Sequence, residues 1–225
     1  MTPGASWVAV TDLSYSYPRA DSPVLNGVST HFARGHVTAI YGPSGSGKST
    51  LLSILGLLMR PKAGTVSIFG EPAWRSRSQS DSLRRSAFSW VLQNSACLEA
   101  RLAIDNVAMV RLSQGVSLDE AHCEARQALR QVGLGHRLSA RASELSGGEL
   151  QRVTIARAIS SRKPVVLADE PTGQLDRHNT ELVAGALRAC ADAGQVVIVA
   201  THDANLIRYC DQRLEIVDGQ ISGPA

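Results

Sequence analysis

A chain of 225 residues with 44% hydrophobic content is long enough for one large domain, or a domain carrying a subdomain, around a sizeable core. The net charge is only +3 and the basic residues are scattered, so nothing points to a nucleic-acid patch and no nucleic-acid partner is expected. No run of about 18 apolar residues occurs, so no segment is expected to span a membrane. Residues 1–7 lack the basic-then-apolar pattern of a secretory leader, so the expected location is the cytosol. Cys97, Cys123, Cys190 and Cys210 have neither metal-ligand spacing nor a paired framework and read as buried reduced thiols.

In chain order, residues 8–17 and 28–33 alternate as strands, and the apolar run 37–41 reads as a buried strand. Residues 64–70 form a strand bounded by glycines, and 88–92 a buried strand ending at Gln93. Between these two strands, Arg75, Arg77, Arg84 and Arg85 cluster loosely in a Ser-rich stretch that reads as a solvated loop. From about 104 to 158 the pattern is helical, with Leu118, Ala121, Ala125, Ala128, Leu129 and Val132 on one face and Gly133 and Gly135 as the stop. Continuous apolar strands at 164–168 and 195–200 suit a parallel sheet covered on both faces, with a crossover helix over about 179–193. Residues 213–221 read as a closing hairpin. No internal repeat, low-complexity segment or linker is present.

Three motifs carry chemistry. Gly42-Pro43-Ser44-Gly45-Ser46-Gly47-Lys48-Ser49-Thr50 lies between a strand and the helical run beginning at Leu51, the context of a P-loop. Its glycines let backbone N–H groups converge on phosphate oxygens, and the helix dipole adds to that anion site. Lys48 is placed to reach the β- and γ-phosphates, and the Ser49 hydroxyl to ligate Mg²⁺. Asp169 and Glu170 end a parallel strand, at the edge where open α/β sheets hold ligands. Asp169 suits a Mg²⁺ site and Glu170 a general base for an attacking water; a pair of acids capping a surface strand is the bland alternative. In Leu145-Ser146-Gly147-Gly148-Glu149, Ser146 and Glu149 also have capping-box spacing.

Taken together, these motifs resemble those of ATP-binding cassette (ABC) ATPases, over nearly the whole chain from Val8 to Gly219. Leu145 to Glu149 is similar to that family's signature motif, and the resemblance implies that Ser146, Gly147 and Gly148 of one subunit close over the ATP held by Lys48 of another. It further implies that Tyr17 stacks on adenine, that Gln93 joins Mg²⁺ and water to the transporter contact, that Asp176 crosses the dimer interface, and that His202 senses the γ-phosphate. The expected fold is α/β: a RecA-like parallel sheet with an antiparallel β subdomain (about 1–93 and 162–225) and an inserted helical subdomain (about 94–161).

The run Ala168-Asp169-Glu170-Pro171-Thr172-Gly173-Gln174-Leu175-Asp176 looks most like ATPases of macrolide-export, lipoprotein-release and cell-division systems. Gln174, Leu150 and the stretch 96–105 depart from the usual pattern of that group. The resemblance implies an ATP-hydrolysing homodimer at the cytoplasmic face of the membrane, driving a separate permease in export or in mechanotransmission. A soluble ABC ATPase is the remaining rival.

Overall fold

The computed structural model describes residues 7–19, 22–92, 97–173 and 175–222. Gln93 and Gln174, both singled out in the sequence, lie outside the described residues. The chain opens with β1 (Val8–Tyr15), β2 (Leu25–Phe32), β3 (Val37–Tyr41), α1 (Lys48–Leu55), β4 (Ala63–Ile68) and β5 (Glu71–Pro72). Next come α2 (Arg77–Ala87), β6 (Phe88–Val91), α3 (Ala103–Leu112), α4 (Leu118–Gln131), a 3₁₀ turn (Ala142–Glu144) and α5 (Gly147–Ser160). It closes with β7 (Val165–Asp169), α6 (Arg177–Asp192), β8 (Val196–Ala200), α7 (Ala204–Ile207), β9 (Gln212–Val217) and β10 (Gln220–Ser222).

The main sheet runs β10-β9-β3-β8-β7-β6, parallel throughout except for the antiparallel β9–β10 hairpin. That hairpin turns at Asp218 and Gly219, both at positive φ (48° and 73°), as a two-residue turn between strands requires. A second, antiparallel sheet runs β2-β1-β4-β5. Alternation along the central strands sorts the core into two layers. Ala39, Val166, Ala168, Val197 and Val199 pack in one cluster with apolar residues of α3 to α6. Ile40, Val165, Leu167, Val196, Ile198 and Ala200 pack in the other with α1 and the antiparallel sheet. Both faces of β7 and β8 are therefore dry, which explains their unbroken apolar runs.

Four differences from the sequence reading have clear causes. The arginine-rich stretch is helix α2 rather than a solvated loop, because Ser76 caps it through the Gln79 N–H and buries only Ser80 and Ala87. So narrow a buried edge leaves no apolar period to read. Leu118 is 56% exposed, since it is the first residue of α4 and precedes the buried stripe Ala121, Ala125, Ala128 and Leu129. Cys123 is exposed and Cys97 half-buried; only Cys190 and Cys210 are buried thiols, with pKa values pushed up by burial to about 12 and about 11. Strand β1 stops at Tyr15, so Tyr17 belongs to the following loop.

Helix α1 ends at Gly56, where the helix passes β6 and β7 at close range. A Cβ there would lie 1.9 Å from Trp90 Cζ2 and 2.7 Å from Leu167 Cδ1. Gly56→Ala is expected to lower unfolding free energy by about 1–3 kcal/mol, the cost of overpacking a core. The urea midpoint of the purified chain measures this; an unchanged midpoint would mean that Trp90 gives way freely.

Candidate functional site

Strand β3 delivers the loop 42–47 to the C-terminal edge of the sheet, beside the ends of β7 and β8. Two glycines there are dictated by geometry. Gly42 has φ +146°, and a Cβ on it would lie 2.1 Å from Ile216 O. Gly47 has φ +107°, caps α1 in the left-handed region, and has Val24 O and Leu25 Cδ2 within 2.8 Å of a Cβ. Only a residue without a Cβ fits either place.

The Lys48 side chain is almost buried, and its Nζ donates to Gly42 O and Pro43 O, both at 2.9 Å. An ammonium has three N–H donors, so one remains for an incoming anion. Ser49 Oγ donates to Asp169 Oδ1 at 3.0 Å, which ties the first turn of α1 to the last residue of β7. Burial pushes the Asp169 carboxyl above its usual range; the Ser49 hydroxyl opposes that shift, nearby Glu170 adds to it, and Lys48 opposes it.

Glu170 follows at φ +46°, a left-handed conformation uncommon for a non-glycine residue. Its backbone N–H donates to Ala200 O at 2.8 Å. Its carboxylate takes three further bonds: Thr201 Oγ1 at 3.1 Å, His202 N at 3.4 Å and His202 Nδ1 at 2.8 Å. The last bond places the ring proton on Nδ1, a tautomer assigned from the contact. The Glu170 side chain is 13% exposed, whereas that of His202 is 73% exposed. The strain at Glu170 is thus held by a network from the end of β8, and it aims the carboxylate into the cleft.

That cleft, of about 640 Å³, is lined by Tyr17, Val24, Gly42, Pro43, Ser44, Gly45, Gly47, Lys48, Ser49, Thr50, Glu170 and His202. Tyr17 sits at its rim with its hydroxyl 3.1 Å from Thr50 Oγ1 and its ring edge-on to Tyr15. Ser46 lies deeper in the loop, with a buried hydroxyl that has no hydrogen-bond partner among the described residues. Ser146, Gly147, Gly148 and Asp176 are absent from the lining. They stand at two helix starts instead: Ser146 caps α5 in a full capping box with Glu149, and Asp176 caps α6 through Asn179 N at 2.8 Å. Partial burial pushes the Glu149 carboxyl up, but bonds from Ser146 and the charges of Arg137 and Arg152 outweigh it and hold the group below its usual range.

A Gly-rich loop with a poised lysine, facing a carboxylate edge, is built for a nucleotide phosphate chain. Residues 25–173 match the family model described as ABC transporter. The chain belongs to the ABC transporter ATP-binding family. It is 41% identical over 209 residues to the lipoprotein-releasing system ATP-binding protein LolD 2 of Caulobacter vibrioides, covering 92% of each chain. The LolD of Bordetella pertussis is 44% identical, with 88% of this chain and 87% of that protein covered. A macrolide export ATP-binding/permease protein, MacB of Marinobacter nauticus, is 37% identical across 95% of this chain, which spans 34% of that longer protein. Among solved structures, the dimeric bacterial ABC transporter cassette MJ0796 superposes with a TM-score of 0.87 at 29% identity, covering 96% of this chain and 97% of the other. A post-hydrolysis state of the same cassette, bound to ADP and Pi, superposes with a TM-score of 0.86. The expected P-loop α/β fold is therefore the observed one, and the cassette is an ATP hydrolase.

Sequence reading missed Thr201, which is fully buried and holds the Glu170 carboxylate. Its place directly after an apolar strand and before His202 was the available signal. Val24 was also missed; it approaches the P-loop through a tertiary contact that no local pattern encodes.

The raised Asp169 pKa has a consequence for stability. The folded chain binds that proton more tightly than the unfolded one, so the contribution of this group to stability falls as pH rises above the ordinary aspartate value of 3.8. Asp169→Asn, which keeps an acceptor for Ser49, should raise the melting temperature of the nucleotide- and metal-free cassette at pH 7. The gain should shrink toward pH 4. A variant that melts lower at pH 7 would contradict the burial argument.

Proposed function

We propose that this cassette binds Mg-ATP in the Lys48 cleft and hydrolyses it with Glu170 as general base. The reading rests on one observation above all: Lys48, Ser49, Glu170 and His202 line a single cleft, and Asp169 is joined to it through its hydrogen bond from Ser49. In this scheme Gly42, Ser44, Gly45, Ser46, Gly47 and Thr50 shape the phosphate cradle, and Lys48 turns its spare N–H toward the β- and γ-phosphates. Tyr17 stacks on adenine at the rim. Glu170 takes the proton of the attacking water, while Thr201 and His202 hold its carboxylate in line. His202, the more exposed partner, reaches toward the γ-phosphate, and Gln93 is assigned to the same water and to the coupling contact.

Ser49 and Asp169 would hold Mg²⁺. A hydroxyl and one carboxylate form a thin oxygen set, which suits a cation that keeps waters and shares substrate phosphates. When bound, Mg²⁺ neutralises charge on the phosphate oxygens.

Ser146, Gly147, Gly148 and Asp176 are assigned to the second half of each site, supplied by a partner copy in a head-to-tail homodimer. Their positions at helix N-termini, outside their own chain's cleft, support this assignment. Residues about 94–161 are assigned to a helical subdomain, and about 1–93 and 162–225 to the core with its β subdomain. The likeness to LolD proteins supports a role in driving a separate permease for export or lipoprotein release, from the cytoplasmic face of the membrane. The surface around residues 98–104 is the assigned dock: Leu98, Glu99 and Arg101 are exposed, while Leu102 is half-buried and Ile104 nearly buried. Co-purification of a membrane subunit from the native host checks this partner.

Lys48→Ala is expected to weaken ATP binding by about 10–100-fold, the loss of one or more charge-assisted hydrogen bonds. Glu170→Gln should bind ATP as the wild type does but turn over about 10²–10⁴-fold more slowly. Calorimetric binding and steady-state phosphate release separate the two. Equal loss of affinity in both variants would contradict the assigned roles.

A further inference from the structure

The arginines around α2 are not used by the nucleotide site, yet they converge on one face. Two adjoining clefts of about 220 and 320 Å³ share Arg60 and Trp74 in their walls. The first adds Arg75 and Arg77 beside the start of α2, and the second adds Lys62 along β4. The acids nearby are already taken: Glu71 pairs with Arg75, and Asp81 pairs with Arg84 at 2.9 Å. Among the described residues, the side chains of Arg60, Lys62 and Arg77 have no hydrogen bond or ion pair. Helix α2 has no acidic residue in its first turn, so its positive end adds to theirs.

We infer that this groove is a seat for the phosphodiester headgroups of anionic lipids, placing the cassette against a bilayer without help from a permease. Charge complementarity selects an anion, and the apolar surroundings select a lipid. Leu58, 53% exposed, stands two residues before Arg60, and the half-buried indole of Trp74 lines both clefts. Basic side chains interleaved with an aromatic and an exposed aliphatic residue suit the headgroup layer, where the charges meet phosphate and the apolar groups meet the acyl boundary.

The test is flotation of the purified full-length chain with vesicles of phosphatidylcholine alone, and of phosphatidylcholine with about 30 mol% phosphatidylglycerol. Binding is expected to the anionic vesicles only, and should be lost in about 0.5 M salt. Arg60→Gln with Arg77→Gln should lower the partition coefficient about 25-fold, at roughly fivefold per basic residue. Arg126→Gln with Arg130→Gln, the same charge change on the exposed face of α4, should leave it within about twofold. Basal ATPase should be unchanged in both double variants. Equal binding to neutral and anionic vesicles, or equal loss in the two double variants, would overturn the proposal. So would displacement from vesicles by about 1 mM glycerol phosphate, which would mark a soluble-phosphate site. Binding of a poly-glutamate peptide without vesicle binding would assign the groove to a protein partner instead.

Discussion

The hydrogen bond from Ser49 Oγ to Asp169 Oδ1 joins two elements that the sheet keeps one strand apart, since β8 lies between β3 and β7. Everything else at the nucleotide edge depends on that spacing. It fixes the first turn of α1 against the end of β7, and so sets where Lys48 stands relative to Glu170. The carbonyls of Gly42 and Pro43 then hold the Lys48 ammonium in the loop, while Asp169 remains a partly buried acid. A cation and a partly buried carboxylate, held this close without a direct ion pair between them, form an environment that suits an anionic ligand such as a phosphate chain. Stability withheld here is available to ligand binding, since a ligand that binds only the folded chain stabilises it.

The same logic extends to the two helix starts outside the cleft. In α5 and α6, Ser146 and Asp176 each spend a side-chain oxygen on their own helix N-terminus. Arg152 of α5 is 8% exposed, has no partner for its Nε among the described residues, and is within electrostatic reach of both Glu149 and Asp176. Its charge therefore acts on both helix starts at once. In the head-to-tail reading this matters, because both helix starts must meet the partner's nucleotide together.

Much of this was legible in the sequence, for physical reasons that differ by element. The strands β3, β7 and β8 are buried on both faces, so their unbroken apolar runs announced them. Lys48, Ser49, Asp169 and Glu170 were legible because phosphate chemistry restricts residue type and spacing, and the structure brings all four to one edge. The Ser146–Glu149 capping box was written in local spacing and is formed as read. Helix α2 was not legible, since it buries two small residues and turns its arginines outward. Leu118 was misplaced because periodicity does not mark where a helix begins to be covered. Thr201 was missed because its hydroxyl acts on Glu170 from 31 positions away. Its place just past the end of β8 was a local hint, but the bond to Glu170 itself is tertiary.

The composite site shared by two chains is the central claim, and mixing two inactive variants tests it most directly. Lys48→Ala disables a chain's own phosphate cradle, and Gly148→Asp disables the half-site it offers its partner. In a head-to-tail mixed dimer both defects fall on one site and the other is intact. With random mixing, roughly half of the dimers are mixed, so the equimolar sample should recover roughly a quarter of the wild-type ATPase rate. A mixture no more active than the sum of its two parents would contradict the account.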